Sequence, residues 1–412
     1  MRVFRGLTRP FWYLWMATLI NQMGAFVLLT LTFALARNGA LDAAGIGIIN
    51  GLRGVGSTVG ALIGGICADR WGRRKVIALG YTTSAVLMLL LIPVWSAPVL
   101  GFLAVALGVS GAFSQPAAIA AVADVVPADD TARAYSLNTW ATNIGLAGCS
   151  AVVGIFSDKH IPLLFTLDAA TTFAAGVILV IGLPQRTDAG VETKSDGDRP
   201  GIAYVFRDRV FVGFVAVGFI SGLLLSQQGS SLPLDMALHH VGPRVYAAIF
   251  MINCGMIIAL QPYVPNILRK LDQSVALACG AAILGAGFGL STLGPGFAGY
   301  AVAAVVWTCG QMVGSCVAPS LMMKLVRSDL RGSYQGVAMM AFTVSSAVGP
   351  IVGGYCLQEA GRLPLWGGCA VAGLVGAALH LMSRQQRNRR AAQLASRDEQ
   401  TAPPSASTAS AQ

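Results

Sequence analysis

The stretch Gly65-Ile66-Cys67-Ala68-Asp69-Arg70-Trp71-Gly72-Arg73-Arg74-Lys75 lies between two apolar runs, residues 45–67 and 76–96, and carries five charges from Asp69 to Lys75. Hydrocarbon offers no partner for such groups, so the stretch reads as a short aqueous loop between two membrane helices. Its four cations assign the loop to the cytoplasmic face, where Lys and Arg accumulate.

Working outward, the chain has 412 residues, 55% of them hydrophobic and only 11% charged. A soluble domain is roughly one quarter charged, so the surface of this chain needs lipid to cover it. Twelve apolar runs follow one another, each of about 20 residues, the length a bilayer requires. They cover 11–36, 45–67, 76–96, 98–123, 134–156 and 161–183, then 211–234, 245–267, 274–293, 297–322, 333–356 and 364–383. The expected fold class is therefore an all-α membrane protein, with twelve transmembrane helices in two six-helix pseudo-symmetric bundles. Residues 1–183 form the N-terminal bundle, 184–210 a solvated cytoplasmic linker, 211–383 the C-terminal bundle and 384–412 a cytoplasmic tail expected to be disordered.

An even number of crossings puts both termini on one side. Loops on that side hold 23 of the 28 Lys and Arg, while the opposite loops hold Arg37, Lys159, Arg244 and Arg362. The bias places both termini in the cytoplasm. The net charge of +10 is spread over one membrane face, a match for anionic headgroups rather than nucleic acid. The first run is too long for a signal-peptide core and is expected to remain as helix 1.

Enzymatic chemistry finds no support. No Walker A, His-Glu-x-x-His, Ser/His/Asp or Cys/His pattern is present. Cys67, Cys149, Cys254, Cys279, Cys309, Cys316, Cys356 and Cys369 all lie in or beside apolar runs and read as packing residues. His239-His240 reads as solvated in an outer loop. No cofactor and no metal are expected. A weak repeat is visible: Arg133-Ala134-Tyr135-Ser136 opens run five much as Arg331-Gly332-Ser333-Tyr334 opens run eleven. Six plus six helices with internal repetition is a transporter signature, although duplication occurs in other membrane proteins too.

The opening loop, as Gly65-x3-Asp69-Arg70-x-Gly72-Arg73-Arg74-Lys75, also resembles the loop between helices 2 and 3 of the major facilitator superfamily of secondary transporters. The resemblance implies that fold, and a latch between the halves that breaks as they rock. Asp69, Arg70 and Arg73 would supply its charges, with Gly65 and Gly72 letting helices 2 and 3 approach. Asp124-Val125-Val126-Pro127 with Arg133 is similar to the Asp/Pro/Arg signature ending helix 4 in that family. A solvated turn and a plain helix-end carboxylate account for the same residues.

Two further segments bear on the branch. Gly349-Pro350-Ile351-Val352-Gly353-Gly354 resembles an antiporter element, chiefly known from helix 5, where this chain has Gly148-Cys149-Ser150-Ala151-Val152-Val153-Gly154 without the proline. Helix packing by Gly349, Pro350, Gly353 and Gly354 accounts for it equally. Val306-Trp307-Thr308-Cys309-Gly310-Gln311 looks like a bacterial drug-efflux branch, a drug:proton antiporter type in which Glu often stands where Gln311 is found. The branch's helix-4 Arg is replaced by Leu107. A Gln cannot carry a proton, so coupling does not transfer from the family unaltered.

Two charges lie inside runs, Asp168 and Arg53, at depths that permit a pair. Such charges face a partner or a wet cavity; a carboxylate bonded to backbone is the alternative for Asp168. Substrate contacts are sought among Asn21, Phe26, Gln115, Asn143, Gln227, Asn253, Trp307 and Gln311, since the resemblance implies that helices 1, 4, 7 and 10 line the cavity. Amides and aromatics suit a moderately apolar, weakly charged ligand. The leading reading is a monomeric, proton-coupled exporter of drug-like or secondary-metabolite compounds. A sugar, amino-acid or metabolite permease and a non-transporting sensor or embedded enzyme are the alternatives.

Overall fold

The computed structural model describes residues 7–401 apart from 40, 95, 127–129, 157–159, 184–201, 295 and 328–329. The first apolar run is two helices, α1 (Arg9–Met23) and α2 (Phe26–Asn38), broken at Gly24-Ala25. Gly24 sits so close to Thr171 that a Cβ there would overlap the hydroxyl. The rest of the first half is α3 (Ala43–Trp71), α4 (Arg73–Leu90), α5 (Ala97–Phe113) with α6 (Gln115–Val125), α7 (Thr131–Phe156) and α8 (Ile161–Gly182). A short helix, α9 (Ile202–Arg207), leads into the second half. There the first crossing is again broken, as α10 (Arg209–Gly229) and α11 (Ser231–Leu238). It continues with α12 (Pro243–Leu260), α13 (Val264–Leu268), α14 (Gln273–Gly289), α15 (Phe297–Leu325), α16 (Arg331–Glu359) and α17 (Arg362–Met382), then α18 (Arg384–Thr401).

Loop carboxylates start several helices by accepting from first-turn N–H groups, which have no partner within the helix. Asp42 caps α3 through Gly45 N at 2.7 Å, Asp208 caps α10 through Phe211 N at 3.2 Å, and Asp272 caps α14 through Ser274 N at 2.9 Å. Gly72, with φ +84°, makes the turn between α3 and α4, a conformation that glycine adopts without penalty.

A helix lies over each of the twelve expected apolar runs. Eleven helical spans among the described residues are long and apolar enough to cross a membrane. The run at 76–96 is α4, whose 18 residues begin Arg73-Arg74-Lys75, leaving a short apolar part. It packs in its bundle through Val76, Ile77, Gly80, Ser84 and Ala85, and completes the six helices of the first half. Two other expectations need correcting. The linker expected over 184–210 yields to helix at Ile202, and residues 184–201 lie outside the described residues. Finally, the tail is not all irregular: Arg384–Thr401 is a helix docked on the second half. Arg390 pairs with Asp208 at 2.9 Å and Arg384 with Asp272 at 3.3 Å. Arg387 is buried with its guanidinium 5.2 Å over the Phe214 ring. Composition marked this segment as polar, which is true of one exposed face; the docking partners are remote in sequence. Burial raises the Asp272 pKa, but hydrogen bonds from Asn388, Val275 N, Arg384 and Ser274 N outweigh it and hold the carboxyl below its ordinary range.

Glycines on two faces of α3 set the relation of the helices. Gly56, Gly60 and Gly64, four residues apart, rest on the Val105, Val109 and Phe113 carbonyls of α5 with no room for a Cβ. On the other face, a Cβ at Gly47 would lie 2.5 Å from Pro350 O, and one at Gly54 2.6 Å from Ala347 Cα. Small residues at this spacing let helix backbones touch. The first face therefore packs α3 inside its own half, and the second packs it across to α16.

The halves are joined at one end. One hydrophobic cluster takes residues from both, running from Phe26, Leu35 and Ile49 to Leu232, Tyr246 and Trp366, at the end away from the termini. Hydrogen bonds from Ala44 N to Gln358 Oε1 (2.9 Å) and from Arg244 Nε to Gly154 O (2.7 Å) join the halves there. At the terminus-bearing end the cores are separate. Phe11, Val76 and Ala121 belong to a first-half cluster, and Val205, Phe211, Leu321 and Leu325 to second-half clusters.

Candidate functional site

The break in the first crossing exposes the N-terminus of α2 inside the protein. Asp168 of α8, 2% exposed, fills that position. Its Oδ2 accepts from Val27 N at 2.8 Å, and its Oδ1 from Thr172 Oγ1 at 3.4 Å. A helix N-terminus carries partial positive charge, so the carboxylate has its partner in the backbone. The expected Asp168–Arg53 ion pair is not formed within 4 Å. Arg53 is half-buried on α3.

In the second half, three helices bring a directed chain of amides together beside the α10–α11 break. Gln228 Nε2 donates to Asn253 Oδ1 at 3.3 Å. Asn253 Nδ2 donates in turn to Gln311 Oε1 and to Thr308 Oγ1, both at 2.9 Å. Tyr246 Oη holds the Gln228 carbonyl at 3.0 Å. Asn253 has all three of its bonds inside the protein. Gln228 and Gln311, both half-buried, keep an acceptor oxygen and a donor nitrogen at the two ends. The chain can therefore bind a neutral ligand that both donates and accepts, with no charge to compensate. Asn253→Ala removes the centre that orients both ends. It is expected to raise the KM for transported ligand about tenfold, on the loss of about 1–2 kcal/mol of oriented hydrogen bonding, and, because Asn253 is buried, to lower the melting temperature as well.

The other residues singled out from the sequence fall in different places. Trp307 is 1% exposed, stacked 5.5 Å from Phe288 with rings nearly parallel; it and the buried Phe26 belong to the joint core rather than to a binding surface. Gln227 is also buried, and its Nε2 donates to Gly349 O of α16 at 3.1 Å. Its neighbour Gln228 takes the amide role, because one residue along a helix turns the side chain by about 100°. Asn143 donates to Thr139 O within α7 at 2.9 Å. Asn21 is half-buried on α1, and Gln115 is exposed at the start of α6.

Gly349 and Gly353 have their Cβ positions filled by Ser226 and Ser231, and Gly354 meets Ala43 and Gly47; Pro350, between them, turns its carbonyl to Gly47. Gly65 has open space around it, and the close approach expected there belongs to Gly64 one residue earlier. Of the latch residues, Arg133 pairs with Asp130 at 3.1 Å, and Arg70 is exposed. Arg73 lies at the start of α4. The side chains of Asp69 and Asp124, like Pro127, lie outside the described residues.

One buried carboxylate was missed. Asp235 of α11, 0% exposed, accepts from Tyr300 Oη at 2.8 Å and Trp366 Nε1 at 2.9 Å, with Arg362 Nη2 at 3.5 Å and His239 Nδ1 at 3.2 Å. The apolar run ends at residue 234, which placed Asp235 and His239 in a loop. The signal lay in Arg362 and Trp366, four apart on one face of α17 and able to serve one acceptor.

Two helical bundles, each opened by a broken crossing, with a shared core at one end and separate cores at the other, have the build of a secondary transporter. The chain belongs to the Major Facilitator Superfamily, whose family model matches residues 14–350. It is similar to an uncharacterized MFS-type transporter, YttB, of Bacillus subtilis, with 24% identity over 76% of this chain and 80% of that one. It is also similar to a Na(+), Li(+), K(+)/H(+) antiporter of Planococcus maritimus, with 23% identity over 72% of this chain and 77% of the relative. Among solved structures, a POT family transporter in complex with 5-aminolevulinic acid superposes with TM-score 0.78 at 13% identity, over 93% of this chain and 98% of the other. The nucleoside transporter NupG does so with TM-score 0.69 at 15% identity, over 93% and 99%. The family match establishes the class, a multi-pass membrane transporter rather than an enzyme, and the solved structures show the fold.

Proposed function

We propose that this transporter exports drug-like or secondary-metabolite compounds of low charge against proton entry, with both termini in the cytoplasm. The observation that carries the reading is the pairing of an uncharged amide chain, Gln228–Asn253–Gln311, with a buried carboxylate set apart from it on α8. Ligand and proton then have different seats. The cores of the two halves are shared at the far end and separate at the terminus-bearing end, which fits an exporter that loads from that side. Protonation of Asp168 removes the charge that holds the α2 N-terminus, which frees the broken crossing to move and links proton uptake to rocking. In this reading Asp69, Arg70, Arg73, Asp124 and Arg133 form the latch of the alternate state.

Purified protein in proteoliposomes with an imposed pH gradient tests this. Wild type is expected to drive uptake of a compound panel when the gradient is present. Asp168→Asn is expected to lose gradient-driven transport while retaining counterflow, which needs no net proton movement. Gradient-driven transport equal to wild type in Asp168→Asn removes this residue from the mechanism. A second reading, exchange of alkali cations for protons, draws on the Planococcus relative and on the two buried carboxylates; sodium-dependent alkalinisation of the same vesicles without any organic substrate favours it.

A further inference from the structure

Among the described residues, cations outnumber carboxylates where α9 and the start of α10 meet the tail helix. Arg207 and Arg209 line one wall of a cavity of about 440 Å³, and Arg389 and Arg390 of α18 line the other. The carboxylate in the wall, Asp208, is already engaged. Its Oδ2 takes Arg390 Nη2 at 2.9 Å and Tyr334 Oη at 3.0 Å, and its Oδ1 caps α10. Among the described residues, four guanidinium groups thus face one carboxylate, which is occupied by Arg390, and Arg390 Nε is buried without a hydrogen-bond partner. Tyr204 closes the rim, with the Arg327 guanidinium 5.3 Å over its ring.

Cations gathered this way repel one another until an anion joins them, and planar guanidinium forks match the oxygens of a phosphate. Depth narrows the choice of anion. Beside the cavity, α9 presents Tyr204 and Phe206 to the surroundings, Phe206 at 52% exposure. Aromatic residues on a short helix at the end of the bundle belong at the level of the headgroups.

We propose that this cavity binds a phosphate-bearing anion through Arg207, Arg209, Arg389 and Arg390, and that an anionic phospholipid headgroup supplies it. The occupant bridges α9, which ends the segment joining the halves, to α18, and so anchors the tail helix against the second half. Inorganic phosphate presents the same oxygens and is the alternative source.

The test uses full-length protein in neutral detergent, titrated with phosphatidylglycerol, phosphatidylcholine or inorganic phosphate and read by native mass spectrometry. Retention of phosphatidylglycerol over phosphatidylcholine is expected. The triple variant R207Q/R209Q/R389Q is expected to weaken it about 100-fold, each surface cation contributing roughly a factor of five. Retention of inorganic phosphate but not phosphatidylglycerol, lost in the same variant, supports the phosphate site and assigns it a soluble source. Should the triple variant fail to fold, Arg389→Gln alone, on the exposed face of α18, is expected to lose about fivefold. Arg269→Gln with Lys270→Gln removes two cations from the same end of the bundle outside the cavity, and binding should survive it. Equal retention of the two lipids with no phosphate bound, wild-type binding by the arginine variants, or an equal loss in the Arg269/Lys270 control overturns the proposal.

Discussion

Asp235→Ala is expected to cost about 3–5 kcal/mol of stability, the usual result of removing one member of a buried charged pair. The magnitude follows from what is left behind. Arg362 loses its carboxylate, and Tyr300 Oη and Trp366 Nε1 lose their acceptor inside the joint core. Water cannot replace an acceptor at a position with no exposure. The change would appear as a fall in melting temperature and as poor yield from the membrane. The double variant Asp235→Ala with Arg362→Leu should recover part of the loss, because the uncompensated cation goes as well, and the two effects are then less than additive. Additive losses, or a single variant as stable as wild type, would show that Asp235 does not organise α11, α15 and α17.

The contrast between Asp168 and Asp235 shows what the sequence made legible. Asp168 lies in the middle of a long apolar run, where hydropathy alone marks a carboxylate as out of place. Asp235 lies a single residue past such a run, and its burial depends on donors 65 and 131 positions away. Hydropathy counts where the membrane begins, not what the neighbouring helix supplies. The apolar runs that become helices and the charged stretch after α3 are properties of local composition, and they could be read directly. The break at Gly24 was hidden, because Gly-Ala inside a continuous apolar run has no local mark of a helix end; the cause is Thr171 and Asp168 on α8. Likewise the neighbours Gln227 and Gln228 are the same residue type, and only the packing of α16 decides that the first bonds Gly349 and the second joins the amide chain. The resemblance at Val306 to Gln311 drew attention to Trp307 and Gln311 together; in the structure the indole stacks in the core while the amide, four residues on, meets Asn253 on the neighbouring α12.

The two glycine faces of α3 make opposite predictions for one kind of substitution. Gly60 touches the Val109 carbonyl of α5, a contact within the first half that persists however the halves rock. Gly60→Leu should therefore destabilise every state alike, by about 1–3 kcal/mol for an overpacked contact, lowering the melting temperature without changing which end is open. Gly54 touches Ala347 of α16, a contact between the halves that exists only while the far end is closed. The same overpacking cost of about 1–3 kcal/mol then falls on that state alone, so Gly54→Leu should shift the balance toward the state open at the far end by about 5- to 100-fold. Ala44, whose N–H bonds Gln358 across the closed interface, is the position to watch. In a background without the native cysteines, Ala44→Cys should be protected from an impermeant thiol reagent applied to the far side, and become reactive when Gly54→Leu is added. Gly60→Leu should leave it protected. If both leucines lower the melting temperature and neither changes the labelling, the α3–α16 contact is ordinary packing and the closed far end does not depend on it.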